Sequence, residues 1–417
     1  MHRVAIIGGC RTPFVRAGGV FSKSSFLDLG IHAVTGAVKR LELDPKLIDE
    51  LAFSTVLLDP RMPNAARELV LRSGLPKNIP AHFISNNCIS GLVAISMIAE
   101  AIKTGRIKVG IAGGAESMSR PTLTLHKKAE AFYLSLFTAR SMGAKLKVLS
   151  SFRPGMLLPR APSPKEPSTG LTMGEHCEIT TKEFEVARSR QDEIAFKSHQ
   201  TAGAAQRAGF FAQEIEPYNG VSDDNLVRFD TSLEKLASLR PVFDRSAHGT
   251  LTAGNSSALT DGASAVCLMS EEEANRQGRK ILGYLDDVVF SAIAPDDGLL
   301  MAPAVALPRL LNQHALSVSD VDVFEVHEAF AAQVAANIVA WEQGWDKYPD
   351  VKSIGSVPLD RINVNGGSIA IGHPFAATGG RQLLALVNQL QRAGQQTGVI
   401  STCAAGAMAA ALLVRKE

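Results

Sequence analysis

The chain has 417 residues, 46% of them hydrophobic and 20% charged, with a formal net charge of +2. That length implies two or three domain-sized units around buried cores, and the hydrophobic fraction excludes a disordered chain. A balance so close to neutral gives no electrostatic reason to expect nucleic acid as a partner.

Residues 1–121 alternate short apolar strands with amphipathic helices. The first strand, Val4-Ala5-Ile6-Ile7, starts so near Met1 that no leader segment is expected ahead of it. A helix is predicted from Leu92 to Ile102, stopped by Lys103-Thr104-Gly105, with a strand at Val109–Ala112. Strands alternating with helices imply a layered α/β unit. Residues 122–246 break this rhythm: Pro154, Pro159, Pro162, Pro164 and Pro167 exclude regular structure there, and helical periodicity returns from Glu183 to Arg207. The stretch reads as an insertion of the kind that covers active sites. Layered texture resumes at about 281.

Two echoes suggest duplication of one α/β unit. Leu47–Leu51 resembles Asp320–Phe324, and Cys88–Leu92 resembles Ser368–Gly372. The expected division is therefore 1–121 plus 247–280 as one half, 122–246 as the insertion, and 281–417 as the second half. No apolar run reaches the ~18 residues of a membrane-spanning helix; Ala404–Val414 reads as a buried turn and strand. Five cysteines without a C-x-x-C pair fit a reducing compartment, and the expected location is the cytoplasm.

Five stretches could carry chemistry. Ser85-Asn86-Asn87 precedes a small-residue helix, which puts Cys88 near a helix N-terminus, where unpaired N–H groups favour a thiolate. Asn365–Pro374 is glycine-rich and ends on His373, held away from helical geometry by Pro374 and so a candidate general base. Cys403 follows the strand-like Val399-Ile400 and enters a Gly/Ala-rich turn. His327 lies just past the strand Val323–Val326. Thr252–Ala263 is a polar, small-residue loop that lets a ligand approach backbone atoms. Each also has a plain structural reading: packing cysteines, a surface turn histidine, a locally satisfied helix-start histidine and a connecting loop. Taken singly, none decides.

Together and in this order, the five stretches resemble the thiolase family over essentially the whole chain, along with Arg11-Thr12-Pro13-Phe14, Gly113–Ser119 and Leu239–Asp244. The resemblance implies a duplicated five-layer α/β/α/β/α core with an inserted loop domain that binds coenzyme A. It implies that Cys88 is the acyl-carrying nucleophile, His373 its activating base and Cys403 an acid/base thiol. His373 and a water held by His327 would stabilise an enolate oxygen, and the backbone N–H groups of Cys88 and Ala405 would stabilise the tetrahedral adduct. Met173 and Ser257 would contact the pantetheine arm, Arg228 the nucleotide end, and Phe330 the tunnel wall. No permanently bound cofactor or metal is implied; coenzyme A is a co-substrate.

The form His327-Glu328-Ala329-Phe330 and the long insertion resemble beta subunits of fatty-acid β-oxidation trifunctional complexes. That points to a degradative 3-ketoacyl-CoA thiolase favouring medium or long chains. The alternatives are a short-chain acetoacetyl-CoA thiolase, a decarboxylating ketoacyl synthase or an inactive lipid-carrier scaffold. A homodimer is expected, or an α2β2 assembly with a hydratase/dehydrogenase subunit. The basic, apolar stretch 126–160 is a candidate for contact with a membrane surface or a partner. Ala407 and Ala409 stand where the family usually has glycine.

Overall fold

The computed structural model describes residues 1–417. Ten strands form one hydrogen-bonded sheet: β1 (Val4–Arg11), β2 (Val15–Arg16), β3 (Glu50–Ser54), β4 (Ala81–Ile84), β5 (Val109–Ser117), β6 (Thr260–Ser270), β7 (Gly283–Ala292), β8 (Val323–Val326), β9 (Thr397–Ala404) and β10 (Met408–Arg415). Their order is β4-β3-β5-β6-β1-β7-β10-β9-β8, with β2 on β6. The path divides naturally at β1 and β7, which share only the pairs Ala5–Tyr284 and Ile6–Gly283.

The two half-sheets repeat one plan. On each side of the junction lie an antiparallel first strand, the last strand of that half, and then parallel neighbours: β3 with β5, and β8 with β9. A parallel bridge from Phe324 to Ile362 stands beside β8 as β4 stands beside β3. The Leu47–Leu51 echo therefore marks true counterparts. The second echo is out of step: the counterpart of the Ser90–Lys103 helix is Thr378–Ala393, and Ser368–Ile371 is a single extra turn before it.

Both faces of each half-sheet are buried, so alternate residues feed different cores. Along β10, Ala409, Ala411 and Leu413 join the outer core of the second half, while Ala410, Leu412 and Val414 face the centre. The Phe26–Arg40 and Pro303–Gln313 helices cover the outer faces, and Ser90–Lys103 and Thr378–Ala393 pack together between the half-sheets. This is the five-layer α/β arrangement the resemblance implies. The two central helices approach through matching glycines. A Cβ on Gly91 would lie 2.5 Å from the Ala376 carbonyl, and one on Gly379 would lie 2.8 Å from the Leu92 backbone nitrogen.

Between β5 and β6 the chain leaves the sheet for residues 118–259. The helical run expected from Glu183 to Arg207 is the Arg188–Arg207 helix, separated from Met173–Glu183 by a break where Glu185 takes φ +50°, which the continuous periodicity conceals. Thr260–Ala263, expected as loop, already belongs to β6. The excursion is tied back by buried charge. Arg11 on β1 donates through Nε to Glu214 at 2.7 Å and through both terminal nitrogens to Asp224 at 2.7 and 2.8 Å. Breaking such a pair from one side typically costs about 3–5 kcal/mol. No helix is long and apolar enough to cross a membrane.

Candidate active site

Cys88 lies two residues before the first residue of the Ser90–Lys103 helix, which has no side-chain N-cap. The capping expected of Ser85–Asn87 is absent. Instead the Ser90 hydroxyl donates to the Asn87 carbonyl at 2.6 Å and accepts from the Asn86 N–H at 2.7 Å, closing a tight turn with Asn87 at φ +48°. The Asn87 side chain donates to the Ala405 carbonyl at 3.0 Å, which clamps this turn to the β9–β10 hairpin.

That clamp brings the two ends of the chain together. The Ala405 N–H and Cys88's own N–H act on the Cys88 sulfur, and Cys88 and Cys177 are among the groups acting on the Cys403 thiol. Cys403 is buried in a small cluster with Cys177, Leu251 and Phe330, against which Met173 packs. Phe330 meets Phe243 edge to face, with ring centroids 5.6 Å apart.

His373 sits in a turn seated against both halves. Its N–H donates to Thr260 Oγ1 at 3.0 Å, the Ser264 hydroxyl donates to the Ala377 carbonyl at 2.7 Å, and the Ala376 carbonyl fits against Gly91 and Gly114. The ring is held through Nδ1, 2.7 Å from Thr378 Oγ1. The Thr378 hydroxyl donates to the Pro374 carbonyl at 3.3 Å, so toward the ring it accepts. Nδ1 therefore carries the proton and Nε2 keeps its lone pair, the tautomer a base requires. His327 packs against it at a tilt, with ring centroids 4.1 Å apart and planes at 48°. Its Nδ1 lies 3.0 Å from Ser368 Oγ, a hydroxyl with no other partner. With that hydroxyl donating, Nε2 of His327 carries the proton. Both Nε2 atoms are buried and free of protein partners.

Burial dominates the electrostatics, because desolvation disfavours whichever form is charged. It pushes the Cys88 thiol up to about 12, with the Ala405 N–H opposing and Glu116 adding. It pushes His373 down to about 3, helped by Arg381, and His327 well below the ordinary range. Cys403 is raised in the same way. The helix begins just beyond Cys88, and desolvation works against the helix-terminus argument for a resting thiolate, opposed by only a few N–H groups. Burial favours a neutral thiol and a neutral imidazole at rest, with the proton moving as substrate is attacked.

The other expected residues fall at different distances from this centre. Ser257 donates its N–H to the Ala329 carbonyl at 2.9 Å, and Ser256 bridges Phe330, so this loop lies on the His327–Phe330 turn. Arg228 is exposed on the inserted stretch, where its N–H donates to His199 Nδ1 at 3.2 Å; none of its hydrogen bonds reaches the thiols or the two imidazole rings. Ala407, at φ +55°, and Ala409 bury their methyl groups in the outer core, and Ala409 is the register partner of Cys403.

Sequence reasoning missed several groups that hold the site. Buried Glu116 accepts from Thr55 at 2.8 Å and from the Val56 and Leu57 N–H groups, and also binds the Ala376 N–H. Buried Glu328 accepts from Ser198 at 2.7 Å, Asn363 at 2.5 Å and the Ile369 N–H at 3.2 Å, fastening the inserted helix to the loop ahead of His373. Glu166, from the proline-rich stretch, accepts from the Gly406 N–H at 3.0 Å. A lone acid inside an apolar strand, as at Glu116, was the available signal.

The thiolase N-terminal domain family model matches residues 4–272, and the thiolase C-terminal domain model matches 279–416. A 3-ketoacyl-CoA thiolase of Photobacterium profundum is 40% identical, covering 100% of this chain and 97% of its own length. One from Vibrio cholerae is 39% identical, covering 100% and 98%. Among solved structures, the Bacillus anthracis acetyl-CoA acetyltransferase superposes with a TM-score of 0.83 at 29% identity. Human mitochondrial 3-ketoacyl-CoA thiolase does so with 0.82 at 28%, each pair covering 100% of this chain and 99% of the other. With both family models matched across the two halves and relatives matching from end to end, the chain belongs to the thiolase family of acyltransferases.

Proposed function

We propose that this chain cleaves 3-ketoacyl-CoA with coenzyme A in fatty-acid degradation, through an acyl group carried on Cys88. The observation that carries the reading is the clamp of the Cys88 turn onto the Cys403–Ala405 hairpin, with the His373 turn packed on Gly91 through Ala376 and two buried imidazoles whose Nε2 atoms are free. His373 Nε2 takes the Cys88 proton as the sulfur attacks the keto carbon, and the N–H groups of Cys88 and Ala405 receive the oxyanion. The C2–C3 bond breaks, and Cys403 protonates the departing enolate, whose oxygen faces the Nε2–H of His327 through a water. Cys403, now a thiolate, takes the proton of the incoming coenzyme A thiol. The coenzyme A sulfur bonds to the acyl carbon, the bond from that carbon to the Cys88 sulfur breaks, and His373 returns its proton to Cys88 as the shortened acyl-CoA leaves. A thiol suits both transfers because its pKa is close to that of coenzyme A.

Met173, Ser257 and Phe330 line the approach of the pantetheine arm in this reading, and Arg228 meets the nucleotide end. Coenzyme A is co-substrate, with no resident cofactor. Residues 1–121 with 247–280 form one half, 122–246 the loop domain and 281–417 the other half, a division supported by the absence of any named strand between Ser117 and Thr260. A homodimer is supported by β4, an edge strand whose four residues are all half-buried; an α2β2 assembly with a hydratase/dehydrogenase subunit is the larger alternative. The helices Lys127–Thr138 and Met142–Leu149 expose Leu134, Phe137, Met142 and Leu146 beside Lys127, Lys128, Lys145 and Lys147, a surface suited to anionic lipid. The location is cytoplasmic in this reading.

Thiolysis measured over short, medium and long 3-ketoacyl-CoA substrates, with trapping of a labelled acyl group on Cys88, tests the proposal. Cleavage favouring the longer chains supports it. A preference for acetoacetyl-CoA selects the short-chain alternative, and no cleavage and no label at any length rejects thiolase activity altogether.

A further inference from the structure

The first turn of the Thr378–Ala393 helix buries three polar side chains completely: Thr378, Arg381 and Gln382. Each reaches a different part of the site. Thr378 holds His373 at 2.7 Å. Gln382 accepts from the Thr402 hydroxyl at 2.7 Å, one residue before Cys403, and donates to the Glu325 carbonyl at 3.2 Å. Arg381 donates through Nη1 to the Glu325 carboxylate at 3.0 Å. Glu325 lies two residues before His327 along an extended strand, and His327 continues that ladder by donating its N–H to the Ser401 carbonyl at 2.8 Å, so the two side chains share a face.

A fully buried guanidinium is an expensive way to fill space, since an apolar side chain of similar size commonly stabilises a core as well or better. Arg381 is also poorly satisfied, with Nε and Nη2 buried and unpartnered. Its charge is permanent. We propose that Arg381, paired with Glu325, is a positioning residue of the acyl-transfer site: it locks the turn bearing Thr378 to the strand bearing His327 and sets a fixed cation at that junction. This rests on the reading of His373 as the base.

The groups around the rings oppose each other in sign. Arg381 disfavours the protonated form of both His373 and His327, and the two rings lie against each other. Glu325 and Glu328 face the same region from β8 and the turn after it, the latter bonded to Ser198 and near Lys197 of the inserted helix. Glu214 lies within reach of Arg381 from the far side. Cys88, Cys403 and Glu116 complete the set. Burial disfavours the charged form of both cysteines, and Arg381 is the cation that acts on both rings.

The test is the pH dependence of thiolysis by the intact enzyme for Arg381→Met, Arg381→Lys and the double variant Arg381→Met with Glu325→Gln. The double variant leaves neither charge of the pair buried alone and so guards against simple failure to fold. In Arg381→Met and in the double variant, the acid limb of the kcat/KM profile, followed down to the lowest pH at which the enzyme stays folded, moves up by about half a pH unit or more. Arg381→Lys keeps the wild-type limb. An unmoved acid limb in the folded methionine-bearing variants overturns the proposal, even if their overall rate falls. Absence of thiolysis in the wild type would instead overturn the reading on which it rests.

Discussion

Replacing Thr378 by valine removes one oxygen and little volume. That oxygen accepts the Nδ1 proton of His373 at 2.7 Å while donating to the Pro374 carbonyl at 3.3 Å, and both ring and hydroxyl are buried. In the variant the Nδ1–H has no acceptor, a loss worth about 1–3 kcal/mol for a buried donor. The ring can escape part of that cost by moving its proton to Nε2, but the lone pair needed to receive the Cys88 proton is then gone. A transition-state loss of ~1.4–2.8 kcal/mol corresponds to about 10- to 100-fold in kcat/KM. The sensitive assay is the single-turnover rate of Cys88 acylation by acyl-CoA, with Thr378→Ser as the control that retains the hydroxyl. Serine should stay within about threefold of wild type, because only a methyl group is lost. A folded valine variant that acylates Cys88 at the wild-type rate would refute the tautomer assignment.

Other consequences follow from the same geometry. Gly91→Ala should destabilise the protein by about 1–3 kcal/mol despite alanine's better helix propensity, because the new Cβ lies 2.5 Å from the Ala376 carbonyl; activity should drop more than stability, since the displaced turn carries His373, and denaturant midpoints beside kcat/KM will show it. Alkylation of Cys88 by iodoacetamide should climb steadily from about pH 7 to pH 10, as expected for a thiol pushed up to about 12. A plateau below about pH 9 would mean that a resting thiolate exists after all. His199 is buried and pushed down to about 4, with burial the main cause and Arg228 adding. Its unfolded form binds a proton near 6.5, so this histidine costs stability as pH falls from about 6.5 toward 4, by ~1.4 kcal/mol per pH unit. The stability difference between wild type and His199→Gln should therefore shift in the variant's favour across that window, and a pH-independent difference would count against the assignment.

Local signals made Cys88, His373, Cys403 and His327 candidates, each beside glycine, proline or a strand end, but only their ordered set along the chain singled them out; alternating apolar runs mark β1, β5, β8 and β9. Their ionisation was not readable in the same way. Desolvation depends on everything packed around a group, and the Ser85–Asn87 run that suggested a helix-stabilised thiolate makes a different turn, closed by the Ser90 hydroxyl.

Glu116, Glu328, Thr378 and Arg381 stayed hidden for a related reason: each draws its meaning from partners on other elements, such as Glu116 on β5 holding Ala376 ahead of a helix near the other end of the chain. Periodicity and residue type determine which segments become strands and helices and which side chains are able to react. Only the folded chain decides which of those side chains meet, because hydrogen bonding and desolvation act over a few ångströms of space, whatever the separation along the sequence.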